Sequence, residues 1–145
     1  MTRINSAISP KNLIDQHLIA ELRELPRIFT AVRERIEKEI GFNDIPKEFC
    51  LGSGHVKFFY NKYKFLFDRY SHLRFEYLLR FGKLYDFDVT RCLVSWEVFN
   101  DYKPTENERQ LLIERISTRI MESKQIPRYY GEKITKERAI EILKS

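Results

Sequence analysis

The sequence has few of the features that mark secreted, membrane or metal-binding proteins. Its 145 residues include only two cysteines, Cys50 and Cys92, and these do not have the spacing of a metal site. No apolar segment approaches the roughly 18 residues that cross a bilayer, and the first residues lack the apolar stretch of a secretory signal. We therefore expect a cytoplasmic, intracellular protein whose cysteines are small core residues.

Signatures of several common catalytic sites are missing as well. No Asp, Glu and His cluster has the spacing of metal ligands, no glycine-rich loop matches a phosphate cradle, and no serine lies in a nucleophile elbow. If the protein is an enzyme, we expect it to use neither a metal nor a cofactor.

The composition is that of a globular protein with an anionic partner. Hydrophobic residues make up 43% of the chain and charged residues 32%, which is ordinary for a folded domain. The formal net charge is +5, and aromatic residues reach 14%. Cations bind phosphates and aromatic rings stack on bases, so the chain has both ingredients of nucleic-acid binding. Most of the aromatic residues are nevertheless expected in the core.

Helical periodicity dominates the first third of the chain. Ser9 and Pro10 have the types preferred at the start of a helix. Apolar residues then recur every three or four positions, which predicts one long helix with a buried stripe and a kink at Pro26. The stripe consists of Ile14, Leu18, Leu22, Leu25, Phe29, Val32 and Ile36.

Two further long helices are predicted. The second covers about residues 55–81, is apolar on most sides and ends at Gly82. The third covers about residues 105–123 and begins with Thr105-Glu106-Asn107-Glu108, a capping box. Its buried stripe is predicted to contain Leu112, Ile113, Ile116 and Ile120.

The remaining segments complete an all-α prediction. Residues 1–8 are predicted to be an extended arm, residues 83–104 irregular, and residues 136–143 a short helix. No repeat or linker divides the chain. We therefore expect a single compact domain over residues 1–145, built from about three main helices, with residues 132–145 as a C-terminal extension.

The polar face of the first helix is a candidate DNA-binding surface. Gln16, Arg23 and Arg27 share this face, and His17 and Glu24 flank it. Guanidinium groups bind phosphate oxygens bidentately, although a solvated helix face would have a similar composition. A carboxylate among cations repels phosphate, so Glu24 is either in a structural ion pair or catalytic.

Other polar residues give weaker signals. Arg115 and Arg119 lie one turn apart on the third helix. His55, at a helix start, is either structural or a phosphate contact. The second helix has cations that we interpret as solvated charge: Lys57, Lys62, Lys64 and Arg69.

The N-terminus offers a nucleophile. Removal of Met1 would leave a free α-amine on Thr2, and such an amine has a lower pKa than a lysine side chain. Arg3, together with Arg23 if it lies close, would lower this pKa further by disfavouring a second positive charge. The amine could then form a Schiff base at a sugar C1′. By itself, however, a Met-Thr start is common.

Taken together, these features resemble the pyrimidine-dimer DNA glycosylases. The resemblance covers nearly the whole chain in the same order, and only residues 83–100 and those after Gly131 match poorly. The segments that carry it are Thr2-Arg3-Ile4-Asn5, Asp15-Gln16-His17-Leu18, Ala20-Glu21, Arg23-Glu24-Leu25-Pro26-Arg27, Gly54-His55-Val56, Phe58-Phe59-Tyr60 and Tyr129-Tyr130-Gly131.

The resemblance implies a fold and a reaction. The N-terminal arm would thread between the helices and place the Thr2 amine in a DNA-binding groove. The amine would displace the 5′ base of a cyclobutane pyrimidine dimer, Glu24 would stabilise the cationic sugar, and β-elimination would cut the strand. The partner would be lesion-containing double-stranded DNA, which the family kinks. The implied DNA contacts are Arg3, Gln16, His17, Arg23, Arg27, Arg115, Arg119, Tyr129 and Tyr130.

One departure from the family concerns lesion recognition. Ile126 and Pro127 stand where one member of the family has a Trp and an additional Tyr before its paired tyrosines. This departure leaves open the same chemistry on other lesions. A separate alternative is a non-catalytic helical DNA-binding module. We expect a monomer.

Overall fold

The computed structural model describes residues 4–86 and 96–145, and these are mostly helical, as the all-α prediction requires. In chain order the elements are a 3-10 turn at Pro10–Asn12, α1 at Asp15–Glu24, α2 at Pro26–Glu37, α3 at His55–Phe58, α4 at Tyr63–Phe81, a 3-10 turn at Trp96–Val98, α5 at Glu106–Glu122, β1 at Arg128–Tyr129, β2 at Glu132–Lys133 and α6 at Lys136–Lys144.

The predicted first helix is divided into three parts. It begins as a separate 3-10 turn, because Leu13 and Ile14 have extended backbone angles before α1 starts. At the boundary between α1 and α2, Leu25 keeps right-handed helical angles, while Pro26 has no N–H to bond to the preceding turn. The apolar stripe therefore continues from α1 into α2, as the kink prediction requires.

The second predicted helix is also divided, into α3 and α4. Residues 59–62 separate the two, so the prediction of one continuous helix was wrong at this point. The predicted C-terminal end of this helix, at Gly82, was correct. Gly82 has a left-handed φ of 68°, and its N–H donates to the Leu78 carbonyl.

The prediction for the third helix is confirmed in α5. The Thr105 hydroxyl accepts a hydrogen bond from the Glu108 N–H at 3.2 Å, which is the cap that the sequence indicates. The short C-terminal helix is confirmed in α6, which packs against α5 and the first 3-10 turn. Lys136 Nζ donates to the Met121 and Ser123 carbonyls at the end of α5.

The core lies where α1 packs against α2 and α4, with α5 and α6 closing it. The predicted stripes of α1, α2 and α5 are buried, apart from the half-buried Ile36. Cys50 is half-buried rather than a core residue, and Cys92 lies outside the described residues. Within residues 4–86 and 96–145, no helix combines the length and apolar character needed to cross a membrane.

A two-stranded hairpin was missed by the sequence prediction. Arg128 pairs with Lys133 and Tyr129 with Glu132, across a turn in which Tyr130 and Gly131 both have positive φ. The carboxylate of Asp15 at the start of α1 accepts hydrogen bonds from the Tyr130 and Gly131 N–H groups, at 3.1 and 2.8 Å. This long-range contact stabilises the hairpin, and no local pattern reports it.

Candidate functional site

The described part of the N-terminal arm, residues 4–8, is held inside the fold. Ile4 and Ile8 are almost completely buried. The Ile8 N–H donates to the Asn5 carbonyl at 3.0 Å and closes a turn. The sequence predicted an extended arm over residues 1–8. For residues 5–8 this prediction was wrong, because they form a turn. We call residues 4–8 the anchored segment.

A histidine from α3 holds the beginning of this segment. The Ile4 N–H donates to His55 Nε2 at 3.0 Å, and His55 Nδ1 lies 2.9 Å from the Cys50 carbonyl. The side chain is 1% exposed. Of the two interpretations that the sequence left open for His55, the structure therefore supports the structural one.

A buried ion pair holds the rest of the anchored segment. Arg69 on α4 and Glu21 on α1 form two charge-assisted hydrogen bonds, at 2.8 and 3.0 Å. Glu21 Oε1 also accepts from Asn5 Nδ2 at 2.9 Å, and Arg69 donates to the Ile8 carbonyl. The interpretation of Arg69 as solvated charge was wrong, because its acidic partner is 48 positions away in sequence.

A cavity of about 140 Å³ lies beside the anchored segment and contains Glu24. Its walls come from the anchored segment, α1 and α5. Glu24 is half-buried, and among the described residues its carboxylate has no hydrogen-bond or ion-pair partner. The hypothesis of a structural ion pair for Glu24 therefore finds no support in this part of the chain. The lining residues are Asn5, His17, Ala20, Glu21, Glu24, Ile116 and Arg119.

The cavity continues into an open groove of about 670 Å³ between α1 and α5. His17, Ala20 and Arg119 line both spaces. Gln16 and Arg23 line the groove from α1, and Ser123, Gln125 and Pro127 line it from the segment after α5. Through these shared residues the groove adjoins the cavity that contains Glu24.

The arginines around the groove differ from those elsewhere in the protein. Arg35, Arg69 and Arg80 each have a carboxylate partner within 3 Å. In contrast, no acidic side chain in the described part of the chain lies within ion-pair distance of the arginines at the groove. These are Arg23 and Arg119, which line the groove, and Arg115, which lies beside the cavity. Unpaired guanidinium groups along a groove are available for phosphate oxygens.

The positive charges of Arg115 and Arg119 are close enough to repel each other. Burial lowers the pKa of Arg115, and the positive charge of Arg119 acts in the same direction. Arg115 also lines a small space with Ile4, Asn5 and His55, next to the cavity. The two arginines therefore face the anchored segment, and a bound anion would relieve their mutual repulsion.

His17 is uncharged at neutral pH. Burial lowers its pKa to about 4; the charge of Arg119 lowers it too, while Glu21 opposes the shift. Its Nδ1 atom is buried and has no hydrogen-bond partner among the described residues. His17 therefore presents a neutral imidazole to the cavity.

The lowered pKa values of His17 and His55 predict a loss of stability in acid. Unfolded histidines titrate near pH 6.5, so below this pH the unfolded state binds more protons and the free energy of unfolding falls. For His17 we expect a loss of roughly 1–2 kcal/mol at pH 5 relative to pH 7. Urea unfolding at both pH values measures it. His17→Asn should reduce the dependence and His72→Asn, on the exposed surface of α4, should not.

Gln16 lines the groove, but both ends of its amide are already used. Its Nε2 donates to the Ile126 carbonyl at 2.8 Å, and its Oε1 accepts from the Arg128 N–H at 3.1 Å. Gln16 therefore holds the segment after α5 in place. Its expected contact with DNA stays a prediction.

The paired tyrosines lie together on the hairpin and pack on α4. The guanidinium of Arg80 lies 4.7 Å from the Tyr129 ring centroid and 5.0 Å from that of Tyr130. Tyr129 donates to the Lys11 carbonyl and Tyr130 to Glu76, at 2.8 and 2.9 Å. Both side chains thus have structural contacts, and neither lines the cavity or the groove.

The structure brings together most of the residues predicted for the site. Gln16, His17, Arg23, Glu24 and Arg119 line the groove or the cavity, and Arg115 lies beside them. Arg27 is exposed on α2. Thr2 and Arg3 lie outside the described residues. The sequence reasoning missed the roles of Glu21 and Arg69, and no local signal could have paired them.

The first part of the chain matches a known protein family. A model of the family described as pyrimidine dimer DNA glycosylase matches residues 1–88 of the 145 residues. The matched part contains the anchored segment, α1 to α4 and Glu24. The arginines of α5 and the hairpin lie beyond it.

Proposed function

Because the chain belongs to the pyrimidine dimer DNA glycosylase family, we propose that it releases the 5′ base of a cyclobutane pyrimidine dimer with the α-amine of Thr2 and then cuts the strand as an AP lyase. The observation that carries this proposal is the position of Glu24. Its unpaired carboxylate lies in a cavity that Asn5 also lines, three residues after Thr2.

The anchored segment limits where the amine can be. Ile4 is held by His55 and buried. Two residues of chain span at most roughly 7 Å, so the Thr2 amine cannot be far from the Ile4 position. This supports an attack from the side of the cavity where Arg115 and Arg119 lie.

The first chemical step replaces the base with the amine. The nitrogen lone pair forms a bond to C1′, the glycosidic bond breaks, and its electron pair leaves with the base, which takes up a proton. Opening of the sugar ring and loss of a proton from the amine give an imine. The Glu24 carboxylate would stabilise the cationic sugar and assist the proton transfers.

The second step cuts the DNA. The imine acidifies the C2′ hydrogen; its removal forms a double bond as the 3′ C–O bond breaks, and the phosphate leaves with the electron pair. The strand is thus cleaved on the 3′ side of the damaged sugar. The chain then needs a proton acceptor at C2′, for which Glu24 is the candidate in the cavity.

The unpaired arginines support the binding of DNA along the groove. Each phosphate that an arginine neutralises adds about 0.9 to the steepness of log affinity against log salt. We therefore expect Arg119→Ala and Arg115→Ala each to weaken binding and to lower this slope by about one. Fluorescence anisotropy over a salt series measures it. Arg138→Ala, which removes an arginine paired with Glu141 on α6, is the control and should leave the slope unchanged.

Borohydride trapping tests the proposed reaction directly. Protein whose Met1 has been removed completely is mixed with duplex DNA that contains a dimer or an abasic site, with EDTA present, and the imine is reduced. We expect a covalent adduct at residue 2 by peptide mass spectrometry, and none from the same protein after acetylation of its N-terminus. Absence of an adduct from the fully processed protein would contradict the proposal and favour a non-catalytic DNA-binding module.

The lining of the groove favours a second candidate, the same chemistry on a wider range of lesions. None of its lining residues is a Phe, Tyr or Trp, and Pro127 occupies a position where one member of the family has an aromatic residue. Stacking on Phe, Tyr or Trp rings is one way in which proteins hold an unpaired base, and among the described residues this groove has no such ring. Nicking of ultraviolet-irradiated, oxidised and abasic duplexes under one condition separates the two candidates.

A further inference from the structure

The hydrogen bonds of His55 determine which of its nitrogens carries the proton. The Ile4 N–H is a donor only, so Nε2 must accept and cannot be protonated. The Cys50 carbonyl is an acceptor only, so Nδ1 must carry the hydrogen. Both contacts are satisfied only by the neutral imidazole with its hydrogen on Nδ1.

The ring has no freedom to turn away from these partners. It is buried, and the rings of Phe49 and Phe59 meet it edge-on at centroid distances of 5.4 and 5.5 Å. A protonated His55 would need an acceptor at Nε2, whereas the fold offers the Ile4 N–H there. Protonation and the hold on Ile4 therefore exclude each other.

The surroundings of His55, burial above all, also favour the neutral form. Burial lowers the pKa of His55, and Arg115 on α5 acts in the same direction. Arg119 lines the same small space from α5. Glu21 on α1 and the hydrogen bond to the Cys50 carbonyl oppose the shift.

We infer that His55 is a positioning residue for the reaction: its neutral Nε2 holds the Ile4 backbone and so keeps the Thr2 amine at the cavity. The inference rests on the proposed function, because it assigns His55 to the amine that acts there. His55 does not contact the sugar; it acts through two residues of chain. Small displacements of a nucleophile cost large factors in rate, so this contact should affect the chemical step more than DNA binding.

Two substitutions separate the two contacts of His55. Glutamine can place an amide oxygen near the position of Nε2 and keep an acceptor for Ile4. Asparagine can place a donor near Nδ1 for the Cys50 carbonyl but cannot reach Ile4. Neither residue titrates. The matched control is His72→Asn, which replaces an exposed histidine on α4 outside the site.

Single-turnover trapping on an abasic duplex, with the DNA dissociation constant measured in parallel, tests the inference. We expect His55→Asn to slow trapping by roughly 10- to 100-fold with the dissociation constant changed less than threefold. His55→Gln should recover most of the rate, and His72→Asn should match the wild type. Equal rates for His55→Asn and wild type, or equally slow His55→Asn and His55→Gln, would overturn the inference.

The wild-type protein provides a test that does not depend on a variant folding. The imidazole nitrogens of His55 and hydrogen exchange of the Ile4 amide are followed by NMR as the pH is lowered. We expect the hydrogen on Nδ1 at neutral pH, and loss of Ile4 protection together with protonation of His55. Protection that persists after His55 is protonated would overturn the inference.

The outcomes distinguish this inference from the proposed function. If the wild type forms no borohydride adduct, the proposed function fails, whatever the protection of Ile4. If the wild type forms the adduct and His55→Asn forms it equally fast, the proposed function stands and the role of His55 is wrong.

Discussion

Glu24→Gln is expected to slow base release by roughly 10²- to 10⁴-fold, the range that a positioned acid–base group contributes. Glutamine has nearly the same shape as glutamate, so the cavity should keep its form. It has no negative charge to stabilise a cationic sugar and no basic oxygen to accept a proton. Because a carboxylate near DNA repels phosphate, the affinity for DNA should stay the same or increase.

Single-turnover cleavage of the glycosidic bond in a dimer-containing duplex, detected as base release after photoreversal of the dimer and with binding measured separately, checks this expectation. Glu122→Gln is the matched control, since it removes the same charge from the groove without changing the cavity. The control should retain the wild-type rate. If Glu24→Gln released base as fast as the wild type, Glu24 would have no part in the mechanism.

Glu21→Ala is expected to lower the free energy of unfolding by about 3–5 kcal/mol, the cost of leaving one member of a buried ion pair alone. The Arg69 side chain is only 6% exposed, so its guanidinium would lose its counter-charge where water cannot replace it. The side chain of Asn5 would lose its acceptor at the same time. Activity should fall as well, because the anchored segment would be less firmly held.

Urea unfolding at neutral pH measures the change. The double variant Glu21→Leu with Arg69→Met removes both charges and should be less destabilised than Glu21→Ala, since no unpaired charge stays buried. Glu141→Ala breaks an exposed pair with Arg138 and should cost less than about 1 kcal/mol. A loss of the same small size for Glu21→Ala would mean that the pair is solvated in the folded protein.

The sequence alone was sufficient for features that depend on neighbouring residues. The stripe of α5, its Thr105 cap and the stop at Gly82 all follow from spacing and backbone preference within a few positions. The break between α3 and α4 could not be predicted in this way, because a continuous apolar pattern does not show where the backbone leaves the helix. The hairpin was missed since its two strands have only two residues each.

Part of the candidate site could also be predicted from the spacing of neighbouring residues. Helical spacing places Gln16, Arg23 and Arg27 on one face, with Glu24 at its side. It cannot say that Arg119, 95 positions after Glu24, lines the same cavity. That depends on how α1 and α5 pack.

For the N-terminal amine, too, some features follow from the sequence and others only from the tertiary structure. The sequence by itself offered Thr2 as a candidate nucleophile and Glu24 as a carboxylate that is either paired or catalytic, and the family resemblance gave both residues their proposed roles. Only the tertiary structure decided what holds the arm: His55, and the Glu21–Arg69 pair across 48 positions. Periodicity records which side of a helix is buried. The partner of a buried polar group is chosen by the packing of distant elements.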